Sequence, residues 1–436
     1  MPFVFIHGVN TRVGDDDYHK NIAARDKLIE TRLLGPLARS DERFANIRII
    51  NPYWGDEGAR FRWNLASVPE VSVIEHMGID EGGTLDADFE FAATVSALAG
   101  PLISADVGEL EGYGSDDAPL RRGAEADPTR FIEAVLAPLL TSERRLGDPA
   151  AVTDKEEGEL EALVAIAAED VAADTTLRQA VSAVSSDDEL MELLAEKVTD
   201  RLDELLASEP GDDDHLVGDD HDSLSPALEI YGSALNGVRD GIHELFDRMK
   251  GAPARASTIP ALRLFRERSH RRLARFLGDI FVYLNDREPI VSKTLAEIKQ
   301  AVAEAPDSPL VVMTHSMGGN ILYDILTWYA PEIRLDIWVS VGGQVGQFEE
   351  MKLFKASDPA VGAPQMVVGL KPRLGYWLNV YDPADVLSFK TAPVFADVDA
   401  DIPYLTGSGA LSAHGAYFGR SSFYSLVRTH VTKAMS

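Results

Sequence analysis

The stretch VVMTHSMGGNILYDIL, residues 311–326, decides the fold. Together with Pro309 and Leu310 it opens as a short apolar run, the length and composition of a buried strand rather than of a helix. NILYDILTWY then carries a helical pattern, with Gly318 and Gly319 at its first turn. A serine between a buried strand and a helix, with small residues beside it, matches the Gly-x-Ser-x-Gly turn. There the serine backbone is strained and the helix passes close to the strand. The pentad is Thr314-His315-Ser316-Met317-Gly318, with glycine at the second small position and the larger threonine at the first. Ser316 is the candidate nucleophile.

Outward from this turn, similar apolar runs occur at 3–8 (FVFIHG), 46–54 (NIRIINPYW), 335–343 (LDIWVSVGG) and 376–382 (YWLNVYD). Continuous apolarity over a few residues suits parallel strands covered on both faces. Amphipathic segments alternate with them, which predicts an α/β sheet with right-handed crossovers. After the run at 46–54 the next strand signal comes only at 309, far beyond any ordinary βα connection. The intervening sequence is acidic, alanine-rich and full of helix starts. SDDELMELLAEKVTDRLDELLA begins with a capping box, Ser186 and Glu189, and sets Leu190, Leu194, Val198, Leu202 and Leu205 on one stripe. TDKEEGELEALVAIAAEDVAA repeats the pattern with Thr153 and Glu156. The expected organisation is a core of 1–57 and 258–436 interrupted by an acidic helical insertion over 58–257, a lid or cap subdomain. Its single-faced helices must pack on one another or on the sheet. The loop at 209–223, dense in carboxylates and holding His215 and His221, matches no metal-binding spacing and reads as solvated.

Composition excludes several function classes. With 71 acidic against 41 basic residues the net charge is -30, which repels nucleic acid and anionic membranes. Cysteine is absent, so there is no thiolate metal site, disulfide or cysteine nucleophile. No stretch is long and apolar enough to span a bilayer, the nearest being FAATVSALAGPLI at 91–103. MPFVFIHG has no basic n-region and runs straight into a strand pattern, so a cytoplasmic protein is expected. RLFRERSHRRLARF at 263–276 is a basic block in an acidic chain, which reads as a partner for the insertion, a cover for the sheet laid down by its aliphatic stems, or a contact for an anionic head group.

FVFIHGVN, VVMTHSMGGNILYDIL, NVYDPADVLSF and SAHGAYF together resemble the lipase and carboxylesterase branch of the α/β-hydrolase superfamily, in this order along the chain. The resemblance covers roughly 1–57 and 258–436, not the insertion, and the two leading antiparallel strands are missing. It implies acyl-ester chemistry without a cofactor or metal. Chain order Ser, acid, His then directs the search for partners. Two histidines follow Ser316. His414 lies among small residues before the last amphipathic segment, and His430 lies near that segment's end, so His414 is the candidate base. Asp385 is the favoured acid, three residues beyond the strand at 376–381; Asp382, abutting it in an Asx-turn position, is the alternative. The backbone N–H groups of Val9 and Met317 are the expected oxyanion donors, while His7 reads as a structural hydrogen-bonding residue. The expected substrate is a small-molecule or lipid ester. A different class stays open: a hydrolase-fold protein whose helical insertion binds a protein partner, with vestigial catalysis.

Overall fold

The computed structural model describes residues 2–66, 124, 128, 131–132, 154–208 and 274–435, apart from 16, 46, 185–186, 306–308 and 408–412. In chain order its strands are β1 (Pro2–Ile6), β2 (Arg48–Ile50), β3 (Val311–His315), β4 (Leu335–Val341), β5 (Leu374–Tyr381) and β6 (Ala400–Pro403). The helices are α1 (Tyr18–Leu28, continued by wider turns over Ile29–Leu34 and an α-helical end at Gly35–Ser40), α2 (Asp154–Ala173), α3 (Leu177–Ala183), α4 (Asp187–Ser208) and α5 (274–285). They continue with α6 (Glu288–Glu304), α7 (Met317–Asp324), α8 (Val345–Glu350), α9 (Ala413–Ala416) and α10 (Ser421–Met435).

The six strands form one all-parallel sheet in the order β2-β1-β3-β4-β5-β6. Alternation along each strand divides the apolar residues between two faces. Phe3, Phe5, Val311, Met313, Val339 and Val380 share one core with α1 and α10. Val4, Ile6, Val312, Trp338 and Trp377 share the other with α6, α7 and α8. Both faces are covered, which is why these strands are continuously apolar. The five strand regions expected from sequence all contain strands. β6 was not foreseen: ADIP holds one strong strand former, and the strand lies at the sheet edge, only partly buried. The strand order changes direction between β1 and β3, a switch point where parallel sheets open a crevice at their carboxyl ends. Gly8 and Ser316 follow those two strands.

Over 154–208 the insertion is mainly helical, and its helices pack both on one another and on the sheet domain. Leu190, Leu194, Val198 and Leu202 are buried, as the stripe on α4 predicts. α2 runs alongside α1 in the same direction: a Cβ on Gly158 would lie 2.3 Å from the Lys20 carbonyl oxygen. At the other end, Arg32 donates to the Ile166 carbonyl at 3.0 Å and to Asp170 at 2.5 Å. Arg32 also donates to Ser421 Oγ on α10 at 2.8 Å, and Ser421 donates to Glu169 at 2.5 Å. Ile166, Ala167 and Val171 of α2 belong to the same core as Phe3 and Phe5. Residues 154–208 therefore pack as a third layer on the flank of the sheet. The capping residues Thr153 and Ser186, the 91–103 apolar stretch, the 209–223 loop and the basic block up to Arg272 lie outside the described residues.

Among the described residues, no helix is long and apolar enough to cross a membrane, and no group of three or more His, Asp or Glu is placed to hold a metal ion.

Candidate functional site

Ser316 sits between β3 and α7 with φ 53° and ψ −125°, a left-handed conformation that a side chain makes costly. Its N–H donates to the Val341 carbonyl at 3.0 Å, and its own carbonyl accepts from Gly319 N–H at 3.0 Å. The turn is tight because three glycines leave no room for a Cβ or give their neighbours space. A Cβ on Gly318 would fall 2.3 Å from the Ile6 carbonyl oxygen, so α7 starts in contact with β1. A Cβ on Gly8 would fall 2.7 Å from Ser316 Cβ, which puts the loop after β1 against the serine. Thr314 fits where glycine is usual because its hydroxyl accepts from Trp338 Nε1 at 2.9 Å. A Cβ on Gly319 would come within 3.4 Å of that same hydroxyl oxygen, so Gly319 gives the threonine room.

His414, on the short helix α9, donates from Nδ1 to Asp385 Oδ2 at 2.9 Å. Asp385 is buried, and its other oxygen accepts Leu387 N–H at 2.9 Å. Gly342, at φ +55°, lets Asp385 approach: a Cβ there would lie 3.4 Å from Oδ2. Asp382 does something different. Its Oδ1 accepts Ala384 N–H at 2.8 Å, and its Oδ2 accepts Thr406 N–H and Thr406 Oγ1, each at 2.8 Å. Asp382 thus ties up its own turn while Asp385 faces the imidazole. Tyr417 links the Asp382 backbone to the Asp385 carboxylate, accepting Asp382 N–H at 2.7 Å and donating to Asp385 Oδ2 at 3.3 Å. Burial, then the charge of Asp385, push its phenol pKa up, so it stays a donor.

The outer nitrogen of His414, Nε2, is buried and has no hydrogen-bond partner. Ser316 Oγ is met instead by Gln344 Nε2 at 3.4 Å. Ser316 and His414 are brought to one cluster through His315, whose ring centre lies 4.7 Å from that of His414 and whose Nε2 donates to the His414 carbonyl at 2.7 Å. Burial, reinforced by His414, holds the His315 pKa well below the usual histidine value. Phe276 of α5 faces the His414 ring edge-on at 6.4 Å, so the chain returning from the insertion lines this cluster.

On the β1 side, His7 donates from Nδ1 to the Gly8 carbonyl at 2.7 Å and accepts Trp54 N–H on Nε2 at 3.2 Å, its ring stacked on Trp54. Burial lowers its pKa to about 4, so it is a neutral structural residue. Buried Asp279 fixes the loop that carries Val9: Oδ2 accepts Asn10 N–H at 2.8 Å, and Oδ1 accepts Ala59 N–H at 2.7 Å and Arg12 Nη2 at 2.6 Å. Val9 follows the glycine that touches Ser316, and Met317 is the first residue of α7, where a helix offers its N–H groups no internal acceptor. His430 is elsewhere, on α10, paired with Tyr376 at 3.0 Å.

Sequence reasoning missed Gln344, Tyr417, His315 as a contact of His414, Phe276 and Asp279. A usable signal existed for Gln344, at the end of a strand next to β3, and for Tyr417, one helical turn after His414. Comparison with protein-family models, curated proteins and solved structures finds no match to this chain.

Proposed function

We propose that the chain is a serine hydrolase of the α/β-hydrolase type, cleaving a carboxylic ester with an apolar, lipid-like acyl group through an acyl-enzyme on Ser316. The observation that carries this reading is the pair of features at the switch point: a strained, buried serine, and a neighbouring Asp385–His414 couple whose Nε2 is buried without a partner. A buried polar atom is costly to leave unpaired, and a basic nitrogen held in one tautomer by a carboxylate is what proton removal requires.

Rotation of Ser316 Oγ toward Nε2 starts the reaction. His414 takes the hydroxyl proton as Oγ bonds to the ester carbonyl, and Asp385 stabilises the imidazolium. The oxyanion forms beside the N–H groups of Val9 and Met317. Collapse expels the alcohol, which takes the proton from His414. Water, deprotonated by the same imidazole, then attacks the acyl-enzyme; the acid leaves and Ser316 regains its proton. The aromatic rings of Phe276 and Phe418 around His315 and His414 support an apolar substrate.

A fluorophosphonate probe tests the reading. Stoichiometric labelling is expected for the folded chain and none for Ser316→Ala, with turnover of a matched ester falling by about 10⁶. Folded protein that takes no label would overturn it. Aryl esters of graded acyl length then define the substrate class.

A further inference from the structure

Gln344 lies just past β4 with only 4% of its surface exposed. A buried primary amide must find partners for two N–H groups and one oxygen. Its Nε2 has three acceptors around it: the Leu387 carbonyl at 2.6 Å, the Gly342 carbonyl at 3.1 Å and Ser316 Oγ at 3.4 Å. These belong to three different parts of the site. Leu387 is the residue whose N–H holds Asp385 Oδ1. Gly342 makes the turn that admits Asp385 Oδ2. Ser316 is the nucleophile in the reading above.

We infer that Gln344 is a positioning residue for the reaction, its side-chain amide linking Ser316 Oγ to the loop that carries Asp385, so that nucleophile and Asp385–His414 couple keep one registration. This rests on the serine hydrolase reading. The loop has a second anchor, Phe389 N–H donating to the Gly343 carbonyl at 3.0 Å, so holding the loop to the sheet does not by itself require a glutamine. What only the side chain supplies is the donor that reaches Oγ. With an amide N–H shared toward one lone pair at 3.4 Å, Oγ is biased in direction, and its own hydrogen is left free to meet His414 Nε2 as Oγ turns toward it. Small displacements at such a distance are expensive, since misplacing a reacting group by an ångström costs on the order of 10² in rate.

Fluorophosphonate labelling rates, measured against pH, test this in wild type, Gln344→Met and Gln344→Glu. Methionine keeps the length and removes the amide; glutamate keeps the shape and puts an acceptor where the donor was. Both variants are expected to label about 10- to 100-fold more slowly, with a displaced pH midpoint because the Asp385–His414 couple is loosened. A purely structural glutamine would lower the melting temperature and leave the rate and its pH midpoint alone. A wild-type rate and midpoint in either folded variant overturns the role of Gln344. Absence of labelling in wild type instead defeats the hydrolase reading itself, and this inference with it.

Discussion

Asp382 and Asp385 are three residues apart, equally buried, and identical in chemistry, yet their surroundings give them separate tasks. Asp382 spends both oxygens on backbone and hydroxyl donors, whereas Asp385 keeps one for His414. Asp385→Asn is expected to cut turnover by roughly 10³–10⁴ at nearly unchanged stability, because the amide offers the imidazole the wrong partner. Asp382→Asn is expected to do the reverse, costing about 1–3 kcal/mol of stability with little effect on turnover of the folded fraction. Urea denaturation alongside steady-state rates separates the two. His7 carries a pH dependence. Its pKa is about 4 in the folded chain, against about 6.5 when unfolded. Above pH 6.5 both states are neutral there. As pH falls from 6.5 to 4 only the unfolded chain takes up the proton, so stability drops by about 3 kcal/mol across that window. In His7→Gln the slope of unfolding free energy against pH should flatten between those limits, and an unchanged slope would contradict the assignment. At this scale the sequence was readable where placement depends on spacing along the chain. Ser316 stands at a strand-to-helix turn, and His414 and Asp385 follow in order. Gln344 and Tyr417 were not readable, because their roles depend on side chains meeting across loops that share no periodicity.

At the level of elements, the orientation of α7 fixes the serine, and α7 is pinned at its far end by Asp324. That carboxylate is fully buried, accepts from Arg287 at 2.5 Å and Tyr283 at 2.6 Å, and receives Lys355 N–H at 3.1 Å. Arg287 also donates to the Leu353 carbonyl at 3.0 Å, so α5, the turn into α6, α7 and the segment after α8 meet at one ion pair. Removing one partner of a buried pair leaves the other charge uncompensated, so Asp324→Asn should destabilise by about 3–5 kcal/mol in urea titrations. A far smaller change would show that water reaches the pair. The strands and the helices beside them were legible because both faces of the sheet are covered, which forces continuous apolar runs. β6 was not, since an edge strand escapes that requirement. The placement of α2 was equally hidden: an apolar stripe announces that a helix packs, but not on which neighbour.

Across the whole molecule, the described part of the insertion and the sheet are one body. Were 154–208 an independent unit, excising it would leave a folded sheet core. Here it strips Ile166, Val171 and their neighbours from the core shared with Phe3 and Phe5, and removes Glu169 and Asp170 from Arg32. The shortened chain is therefore expected to lose its near-ultraviolet circular dichroism and its cooperative thermal transition. A deletion product that melts cooperatively near the wild-type temperature would contradict the shared core.

The register Phe3↔Val311 places the first strand of the chain beside one made about 300 residues later. On a ribosome adding about 5–20 residues per second, β1 waits on the order of 15–60 s for that neighbour. Among the described residues only β2 pairs with it in the interval, on its opposite edge, and that register spans three residue pairs. The apolar Phe3-Val4-Phe5-Ile6 edge is thus a holding problem during synthesis, a timing relation written into the strand order.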